Sequence, residues 1–324
     1  MIVKKASPGL DPGDNLRGLL EGSDITLQEY DEDRPLADQV ADASVLLTRS
    51  IPVTREVIDS APKLRLIQRF GVHVEAVDIE YATARGIPVA NVPPDRSGGW
   101  SVAEHALFLM LAVGKLYRQS QASFATRTVG LPLTLGFRGK TVGLIGVGRT
   151  AGFLVPMVRS LGMRVIGIKR NPGPGEEAAL GLDWLGGPGR LEEMLSQADV
   201  ISVHLPLVEE TRGYIGRREI GWMRDRAILI NTSRGPIVDR EALFEALLAG
   251  KLMGAGLDPW WEEPADPADP LLRLENVIAT PHIAGCSVEA RIEPARVVWE
   301  NLISVREGRP PIYVLNGGVV SDVG

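Results

Sequence analysis

The sequence predicts an α/β protein with two doubly wound domains, each built around a mostly parallel sheet. Apolar, strand-like runs alternate with helix-length segments through almost the whole chain, a pattern typical of βαβ units. The length of 324 residues is sufficient for two domains of ordinary size, each with its own buried core. We therefore expect two sheets rather than one.

The composition favours small molecules as partners. The chain has 35 Lys and Arg against 41 Asp and Glu, a net charge of −6, and these charges are interspersed rather than blocked. The longest apolar helix-like run, 106–113, is much shorter than the roughly 20 residues that a membrane span needs. A single cysteine, Cys286, excludes an intrachain disulfide and fits a reducing compartment. We expect a cytoplasmic protein without nucleic-acid or membrane partners.

The first domain is predicted from a series of short elements before residue 93. A strand opens the chain near Ile2, and a loop rich in proline and glycine closes the series over 93–99. Between them the pattern predicts strands over 45–47, 64–67 and 88–92, with helices beginning near Thr54 and over 78–85.

The second domain is predicted to follow a connecting helix. Ser101 with Glu104 forms a capping-box pattern, which indicates a helix that begins there and reaches about Gln119. Six strands of a dinucleotide-binding sheet are then predicted over 141–145, 164–169, 199–204, 227–231, 255–258 and 277–280.

The tail of the chain predicts one further helix, over 293–307, which we expect to return to the first domain. The first domain would then be discontinuous. Its predicted bounds are 1–100 with 289–324, and those of the second domain are 101–288.

A glycine-rich loop in the second domain has the pattern of a phosphate-binding turn. Gly146 and Gly148 follow a predicted strand and precede a helical segment, the context that makes such a pattern specific. Gly146 permits the tight turn, Gly148 lets the main chain approach a pyrophosphate, and Ala151 allows close packing of helix on strand. A glycine turn without a ligand is the alternative. We predict a bound dinucleotide, held by Gly146, Gly148, Arg149 and Thr150.

The residues after the next strand bear on the kind of dinucleotide. An acid is expected about 20 residues after the glycine loop, where it accepts hydrogen bonds from the adenosine ribose. Lys169 and Arg170 occupy that place, and no carboxylate follows before Glu176. Two cations can pair with a 2′-phosphate, so NADPH is the preferred prediction. The alternative is that both cations are merely solvated and that NADH binds through backbone or water contacts.

Three ionisable residues follow the last three predicted strands: Arg234, Glu263 and His282. Ligands of open α/β sheets bind outside the carboxyl ends of the strands, so we expect these side chains to converge on one crevice. Taken singly, each has a plain alternative as a surface or packing residue. No metal site is predicted.

Together the three residues predict the reduction of a 2-keto acid. Arg234 offers a planar, always-charged fork that suits a carboxylate. His282 can donate a proton near neutral pH, and Glu263 beside it would favour the imidazolium form. Such a reduction needs a cation to hold the substrate and an acid to protonate the developing alkoxide.

A series of motifs runs through nearly all of the chain in a fixed order. They are 64–71, Val102-Ala103-Glu104-His105, 143–151, His204-Leu205-Pro206-Leu207, 230–235, Leu257-Asp258, Glu262-Glu263-Pro264 and 280–285. In these motifs the chain resembles the D-isomer-specific 2-hydroxyacid dehydrogenase family. The resemblance implies a Rossmann dinucleotide-binding domain, a discontinuous flavodoxin-like substrate domain, and a homodimer formed through the connecting helix.

The same resemblance assigns roles to residues. It implies that Arg234 binds the substrate, that Glu263 and His282 form the acid/base pair, and that Asp258 contacts the nicotinamide amide. Glyoxylate or hydroxypyruvate is the implied substrate. Further cofactor contacts are implied for His204, Leu205, Pro206, Thr232 and Gly285.

The substrate end departs from the family pattern. His73 stands two places after Gly71, where the family has glycine, and Glu75 replaces a following aspartate. We expect Val72 and His73 still to bind the substrate carboxylate through main-chain amides, with a packing role for His73 as the alternative.

Two other functions compete with this interpretation. Arg69 stands where some phosphate-accepting relatives place an arginine, so D-3-phosphoglycerate dehydrogenase activity is the alternative among enzymes, although a strand-end salt bridge would also explain Arg69. A corepressor-like protein that senses NAD(P) is the alternative from another class, because such relatives can retain all three ionisable residues.

Overall fold

The computed structural model describes residues 1–6, 15–49, 51–71 and 76–317. The chain divides into two compact units, one made of Met1–Gly98 with Ser287–Gly324 and the other of Gly99–Cys286. Both junctions stand two residues before the predicted ones, which were 100/101 and 288/289. Each unit contains one sheet of parallel strands with helices, so the predicted α/β fold class is confirmed.

The elements of the described residues are numbered in chain order. The strands are β1 (Ile2–Lys5), β2 (Thr26–Glu29), β3 (Val45–Thr48), β4 (Leu66–Arg69), β5 (Val89–Ala90), β6 (Thr141–Ile145), β7 (Arg164–Ile168), β8 (Trp184–Gly186), β9 (Val200–Val203), β10 (Ala227–Asn231), β11 (Leu252–Leu257) and β12 (Val277–Ala279). The α-helices are α1 (Asn15–Leu20), α2 (Arg55–Asp59), α3 (Ile79–Ala84), α4 (Gly99–Gly114), α5 (Tyr117–Ala125), α6 (Arg149–Ser160), α7 (Glu176–Ala179), α8 (Leu191–Gln197), α9 (Arg217–Trp222), α10 (Arg240–Leu248), α11 (Pro270–Arg273) and α12 (Val288–Arg306). No helix among these has the length and apolar character needed to cross a membrane.

The sheet of the first unit has the strand order β2-β1-β3-β4-β5. This is the flavodoxin-like order. Val45, Leu46 and Leu47 in β3 are fully buried, as expected for a parallel strand covered on both faces. The edge strand β2 was not predicted, because its residues are mostly exposed and lack an apolar run.

The sheet of the second unit has the order β12-β11-β10-β9-β6-β7-β8. Its strand order reverses between β6 and β9, which is the switch point at which dinucleotide-binding folds hold their ligand. Six of these strands were predicted from the sequence. The seventh, β8, is a three-residue edge strand of Trp184, Leu185 and Gly186, too short to give a periodic signal.

The helix predicted from Ser101 to about Gln119 differs from the structure at both ends. Helix α4 begins at Gly99, so Ser101 lies inside it and its Oγ donates to the carbonyl oxygen of Ala284 at 2.8 Å instead of capping the helix. Helix α4 ends at Gly114, and Leu116 with φ 51° separates it from α5. The left-handed backbone at Leu116 breaks the run that the sequence pattern treated as one helix.

The tail helix α12 belongs to the first unit and begins five residues before the prediction. Its N-cap is Ser287, whose side chain accepts a hydrogen bond from the Ala290 amide at 3.0 Å. Val298 and Leu302 are fully buried in the same core as Leu16 of α1. Burying side chains of this size contributes ~1.5–3 kcal/mol each, so α12 is a structural part of the first unit.

Candidate active site

Three adjacent strands of the second unit carry the predicted acid, base and cation at their carboxyl ends. Arg234 follows β10, Glu263 follows β11, and His282 follows β12. These strands are parallel neighbours in the sheet. The three loops therefore emerge from one edge of the sheet, as the sequence predicted from the strand ends.

Glu263 and His282 form a direct hydrogen bond. Oε2 of Glu263 lies 2.8 Å from Nδ1 of His282, and the Trp260 amide approaches Oε1 at 3.4 Å. A carboxylate can only accept, so this contact assigns the Nδ1 proton to the imidazole and leaves Nε2 for another partner. The two side chains are 40% and 49% exposed, so a ligand can reach them.

The loop that carries His282 is tied to a buried carboxylate. Asp258, at the end of β11, accepts from the Thr280 hydroxyl at 2.7 Å, the Ile283 amide at 2.8 Å and the Ala284 amide at 2.9 Å. Asp258 is fully buried, and these donors satisfy much of its hydrogen-bonding capacity.

No group of three or more His, Cys, Asp or Glu in the described part of the chain is arranged to hold a metal ion.

The loop that carries Arg234 is packed against the loop after β11. A Cβ built on Gly235 would lie 2.5 Å from the carbonyl carbon of Trp260, so only glycine permits this approach. The Asn231 side chain donates to the Arg234 carbonyl oxygen at 2.9 Å and fixes the turn. The Arg234 side chain is exposed, and its Nη1 donates to the Ser233 carbonyl oxygen at 2.6 Å. The exposed guanidinium is thus carried by a backbone that these contacts hold in place.

The glycine loop lies between β6 and α6, where the sequence placed it. Gly146 has φ 88°, and a Cβ there would lie 2.7 Å from the His204 carbonyl oxygen, so the position requires glycine on two grounds. A Cβ on Gly148 would meet nothing within 4 Å, which leaves the open space that a pyrophosphate needs. Arg149 and Thr150 form the first turn of α6, and Ala151 is fully buried behind them. The loop fits a dinucleotide with its phosphates at the helix N-terminus.

Two further predicted cofactor contacts fit the same ligand. The Thr232 hydroxyl, just after β10, is buried and has no hydrogen-bond partner among the described residues. A buried hydroxyl without a partner is rare, so Thr232 fits a site that a ligand completes. Burial lowers the pKa of His204 to about 4, although the residue keeps some solvent exposure, so this imidazole is neutral at physiological pH. Its Nε2 lies 2.9 Å from the Ser202 hydroxyl, while Leu205 and Pro206 continue the loop after β9.

Lys169 is less available than the sequence indicated. It forms an ion pair with Glu176 at the start of α7, and the Gly173 amide donates to the other oxygen of Glu176 at 2.9 Å. The hydrogen bond from the Gly173 amide and the ion pair with Lys169 together hold the pKa of Glu176 below its usual range, so its carboxylate is charged. Arg170 is exposed. Glu176, which stands seven residues after Lys169 in the sequence, therefore pairs with one of the two residues predicted to bind the 2′-phosphate.

The predicted substrate residues other than Arg234 belong to the first unit. Arg69 is the last residue of β4 and is 5% exposed. Val72 and His73 lie outside the described residues. Gly285, predicted at the cofactor, is exposed in the loop after β12.

Sequence reasoning missed two members of the site. Thr280 and His105 were each named only as part of a motif, without a role in the site. In the structure His105 Nε2 lies 2.8 Å from the Thr280 hydroxyl. The signal for Thr280 was available, since a hydroxyl at a strand end directly before Pro281 and His282 is placed to bond a neighbouring strand end.

The sheet order, the glycine turn and the hydrogen-bonded Glu263 and His282 at the strand ends are together the features of a nicotinamide-dependent dehydrogenase. Residues 107–284 match the model of a family described as D-isomer specific 2-hydroxyacid dehydrogenase, NAD binding domain. The chain belongs to the D-isomer specific 2-hydroxyacid dehydrogenase family, as its motifs predicted, and is an NAD-dependent oxidoreductase.

Individual relatives and solved structures agree with this membership. The chain is 35% identical to a glyoxylate reductase of Korarchaeum cryptofilum over 88% of its own length and 86% of that protein. It is 39% identical to a D-3-phosphoglycerate dehydrogenase of Methanocaldococcus jannaschii, covering 87% of this chain but only 53% of that longer protein. The crystal structure of the TT0316 protein from Thermus thermophilus superposes with a TM-score of 0.72 at 35% identity, covering 97% of this chain and 100% of that one.

Proposed function

We propose that this chain reduces small 2-keto acids to 2-hydroxy acids, with glyoxylate or hydroxypyruvate as its substrate. The observation that carries the proposal is the 2.8 Å hydrogen bond between Glu263 and His282, at the same sheet edge as Arg234. Relatives named glyoxylate reductase, at 35% and 36% identity over most of their length, support the choice of substrate.

The proposed mechanism assigns one task to each residue of the trio. Arg234 binds the substrate carboxylate through its guanidinium fork and polarises the neighbouring carbonyl. His282 gives the proton on Nε2 to the carbonyl oxygen as charge develops there, and Glu263 stabilises the imidazolium from Nδ1. The nicotinamide dinucleotide, when bound, supplies the hydride. In the reverse direction His282 accepts the proton from the hydroxy acid.

The same proposal assigns the dinucleotide to the glycine turn and the neighbouring strand ends. NADPH is the proposed preference and NADH the alternative, because Lys169 and Arg170 stand where the family pattern expects an acid. The pairing of Lys169 with Glu176 weakens this preference and leaves Arg170 as the principal candidate for the 2′-phosphate. The residues proposed to hold the cofactor are Gly146, Gly148, Arg149, Thr150, Lys169, Arg170, His204, Leu205, Pro206, Thr232, Asp258 and Gly285.

The substrate end is proposed to use Arg69, Val72 and His73 together with Arg234. One observation favours a second substrate, the 39% identity to a D-3-phosphoglycerate dehydrogenase, combined with the cationic Arg69 at the end of β4. An arginine is well suited to a phosphate. A phosphorylated 3-carbon keto acid is therefore the second candidate.

We also propose that the protein acts as a cytoplasmic homodimer formed through the helix α4 region. Support comes from large apolar side chains left exposed on α4, α5 and the loop after them: Phe108 is 49% exposed, Phe124 79% and Leu133 83%. Apolar surface of this kind in an isolated chain is typical of a protein contact. Light scattering of the purified chain would measure twice the mass of 35.0 kDa, and a monomer would contradict the proposal.

The test of the function is a substrate panel with both cofactors. Initial rates are measured for glyoxylate, hydroxypyruvate, its 3-phosphate and a branched 2-keto acid, each with NADPH and NADH. We expect the highest kcat/KM with glyoxylate or hydroxypyruvate and NADPH. A higher value for the 3-phosphate would establish the second candidate instead. Tight dinucleotide binding without turnover of any keto acid would support a sensor of the corepressor kind.

A further inference from the structure

The backbone around His282 is held in an unusual conformation. His282 has φ 56°, in the left-handed region that residues other than glycine rarely adopt. Such a conformation is strained and persists only where neighbouring contacts determine it. The structure must therefore contain bonds that hold this loop.

The buried carboxylate of Asp258 makes those bonds. Its two oxygens accept from residues on both sides of His282, namely the Thr280 hydroxyl, the Ile283 amide and the Ala284 amide, at 2.7, 2.8 and 2.9 Å. Bonds to a buried charge are stronger than those between neutral groups. The orientation of the His282 imidazole toward Glu263 thus depends on a carboxylate whose hydrogen bonds go to neither of these two side chains.

Thr280 extends this contact to helix α4. Its hydroxyl has one proton, which it donates to Asp258, so its oxygen must accept from His105 Nε2 at 2.8 Å. Burial lowers the pKa of His105, with Asp258 at 4.0 Å acting in the opposite direction. A neutral His105 with its proton on Nε2 meets this requirement. The result is a one-way chain of donation from His105 through Thr280 to Asp258.

We propose that Thr280, supported by His105, is a positioning residue that holds Asp258 and the loop of His282 in the orientation needed for proton transfer. The effect of this residue on turnover rests on the proposed function, whereas its effect on the loop does not. Thr280 contacts neither His282 nor Glu263 through its side chain in the bonds described above, so it acts through Asp258.

The experiment compares three matched substitutions in the full-length protein. Thr280→Val keeps the branched shape and removes the hydroxyl, while Thr280→Ser keeps the hydroxyl. Thr141→Val makes the same change at another buried threonine of the second unit. Thr141 is the first residue of β6, so it lies at the amino ends of the strands, whereas Thr280 lies at their carboxyl ends. Hydrogen exchange of the Ile283 and Ala284 amides reports the loop directly, and steady-state kinetics report turnover.

For Thr280→Val we expect amide exchange at Ile283 and Ala284 to accelerate by about tenfold or more, because the bonds to Asp258 lose their support. We expect kcat to fall by about tenfold or more with a smaller change in KM for the keto acid, since small misplacements of reacting groups are costly. Thr280→Ser should restore both quantities, and Thr141→Val should change neither.

Two results would overturn the proposal. One is unchanged exchange at Ile283 and Ala284 in Thr280→Val; the other is faster exchange with kcat unchanged, which would mean a purely structural contact. If Thr280→Val does not fold, the same exchange and kinetic measurements are made on His105→Leu, which removes the hydrogen bond to Thr280 without changing the loop itself. A parent chain that turns over no keto acid would refute the proposed function, while the exchange data would still test the contact.

Discussion

At the scale of single residues, His282, the proposed proton donor, is the side chain whose removal is easiest to interpret. We expect His282→Ala to lower kcat by about 10²-fold or more, because general acid catalysis contributes a factor of that size. Steady-state rates with saturating NADPH and glyoxylate measure this loss. The KM for the cofactor should change little, since the contact of His282 is with Glu263.

A neighbour of His282 provides the control for that substitution. Cys286 is exposed, and its Sγ lies 3.6 Å from the His282 carbonyl oxygen, so Cys286→Ser alters the same loop but keeps a donor. Its kcat should match that of the parent chain. If His282→Ala also retained the parent rate, the acid would have to be another group.

We expect Glu176, as the ion-pair partner of Lys169, to limit how strongly Lys169 attracts a phosphate. Glu176→Gln removes the charge that pairs with Lys169 but keeps an oxygen for the Gly173 amide. We expect the ratio of kcat/KM for NADPH to that for NADH to rise several-fold, because a free lysine binds the 2′-phosphate better. Lys169→Asp should move the ratio in the opposite direction.

This comparison also separates two roles for Glu176. If the carboxylate itself held the adenosine ribose, Glu176→Gln would weaken NADH binding. Isothermal titration with each dinucleotide distinguishes the outcomes, since our expectation is an unchanged NADH affinity and a tighter NADPH complex. Equal changes for both cofactors would show that neither residue contacts the 2′ position.

At the scale of elements, the turn between β6 and α6 contains two glycines with different requirements. Gly146→Ala should destabilise the protein, because φ is 88° and the new methyl group would lie 2.7 Å from the His204 carbonyl oxygen. Gly148→Ala should leave the melting temperature unchanged, since nothing lies within 4 Å, yet lose dinucleotide affinity because the methyl group occupies the phosphate space. Thermal melts and fluorescence titration of NADPH measure the two effects.

The central strands could be predicted from the sequence, whereas two of the four edge strands, β2 and β8, could not. Strands such as β6 and β10 are buried on both faces, so their apolar runs are continuous and end at the predicted residues. Edge strands such as β8 need only one neighbour and tolerate a short, mixed sequence. The division of the connecting helix into α4 and α5 depends on a single backbone conformation at Leu116, for which composition gives no sign.

The grouping of Arg234, Glu263 and His282 could be predicted because the ends of the three strands before them could be predicted. Three ionisable residues after three parallel strands had to emerge at one edge, so their grouping follows from the fold class alone. Which loop residues bond one another is decided by the turns between elements. The approach of Glu176 to Lys169 and of Thr280 to Asp258 therefore required the structure.

At the scale of the whole molecule, two partly buried histidines, His105 and His204, make stability depend on pH. Burial lowers the pKa of His204 from 6.5 to about 4 in the folded chain, whereas in the unfolded chain it takes up a proton near pH 6.5. Between pH 4 and pH 6.5, His204 therefore takes up a proton when the chain unfolds. The contribution is fully present above about pH 6.5 and is lost as the pH falls toward 4, by at most ~3 kcal/mol. The lowered pKa of His105 acts in the same direction.

Urea unfolding at pH 7, 6 and 5 measures this dependence. We expect the free energy of unfolding to decrease over this range in the parent chain and to decrease less in His204→Gln, which cannot take up a proton. The comparison at pH 7, where both side chains are neutral, isolates the packing cost of the substitution. Parallel curves for the two proteins would assign the pH dependence to other groups.

The discontinuity of the first unit has a consequence for synthesis. Strands β1 to β5 leave the ribosome before residue 99, but α12, which fills their core with Val298 and Leu302, follows roughly 200 residues later. At ~5–20 residues per second this delay is about 10–40 s. The second unit can fold in that interval. Until α12 is made, the apolar face of the first sheet that it covers stays exposed. Newly made chains should therefore depend on chaperones most during this time.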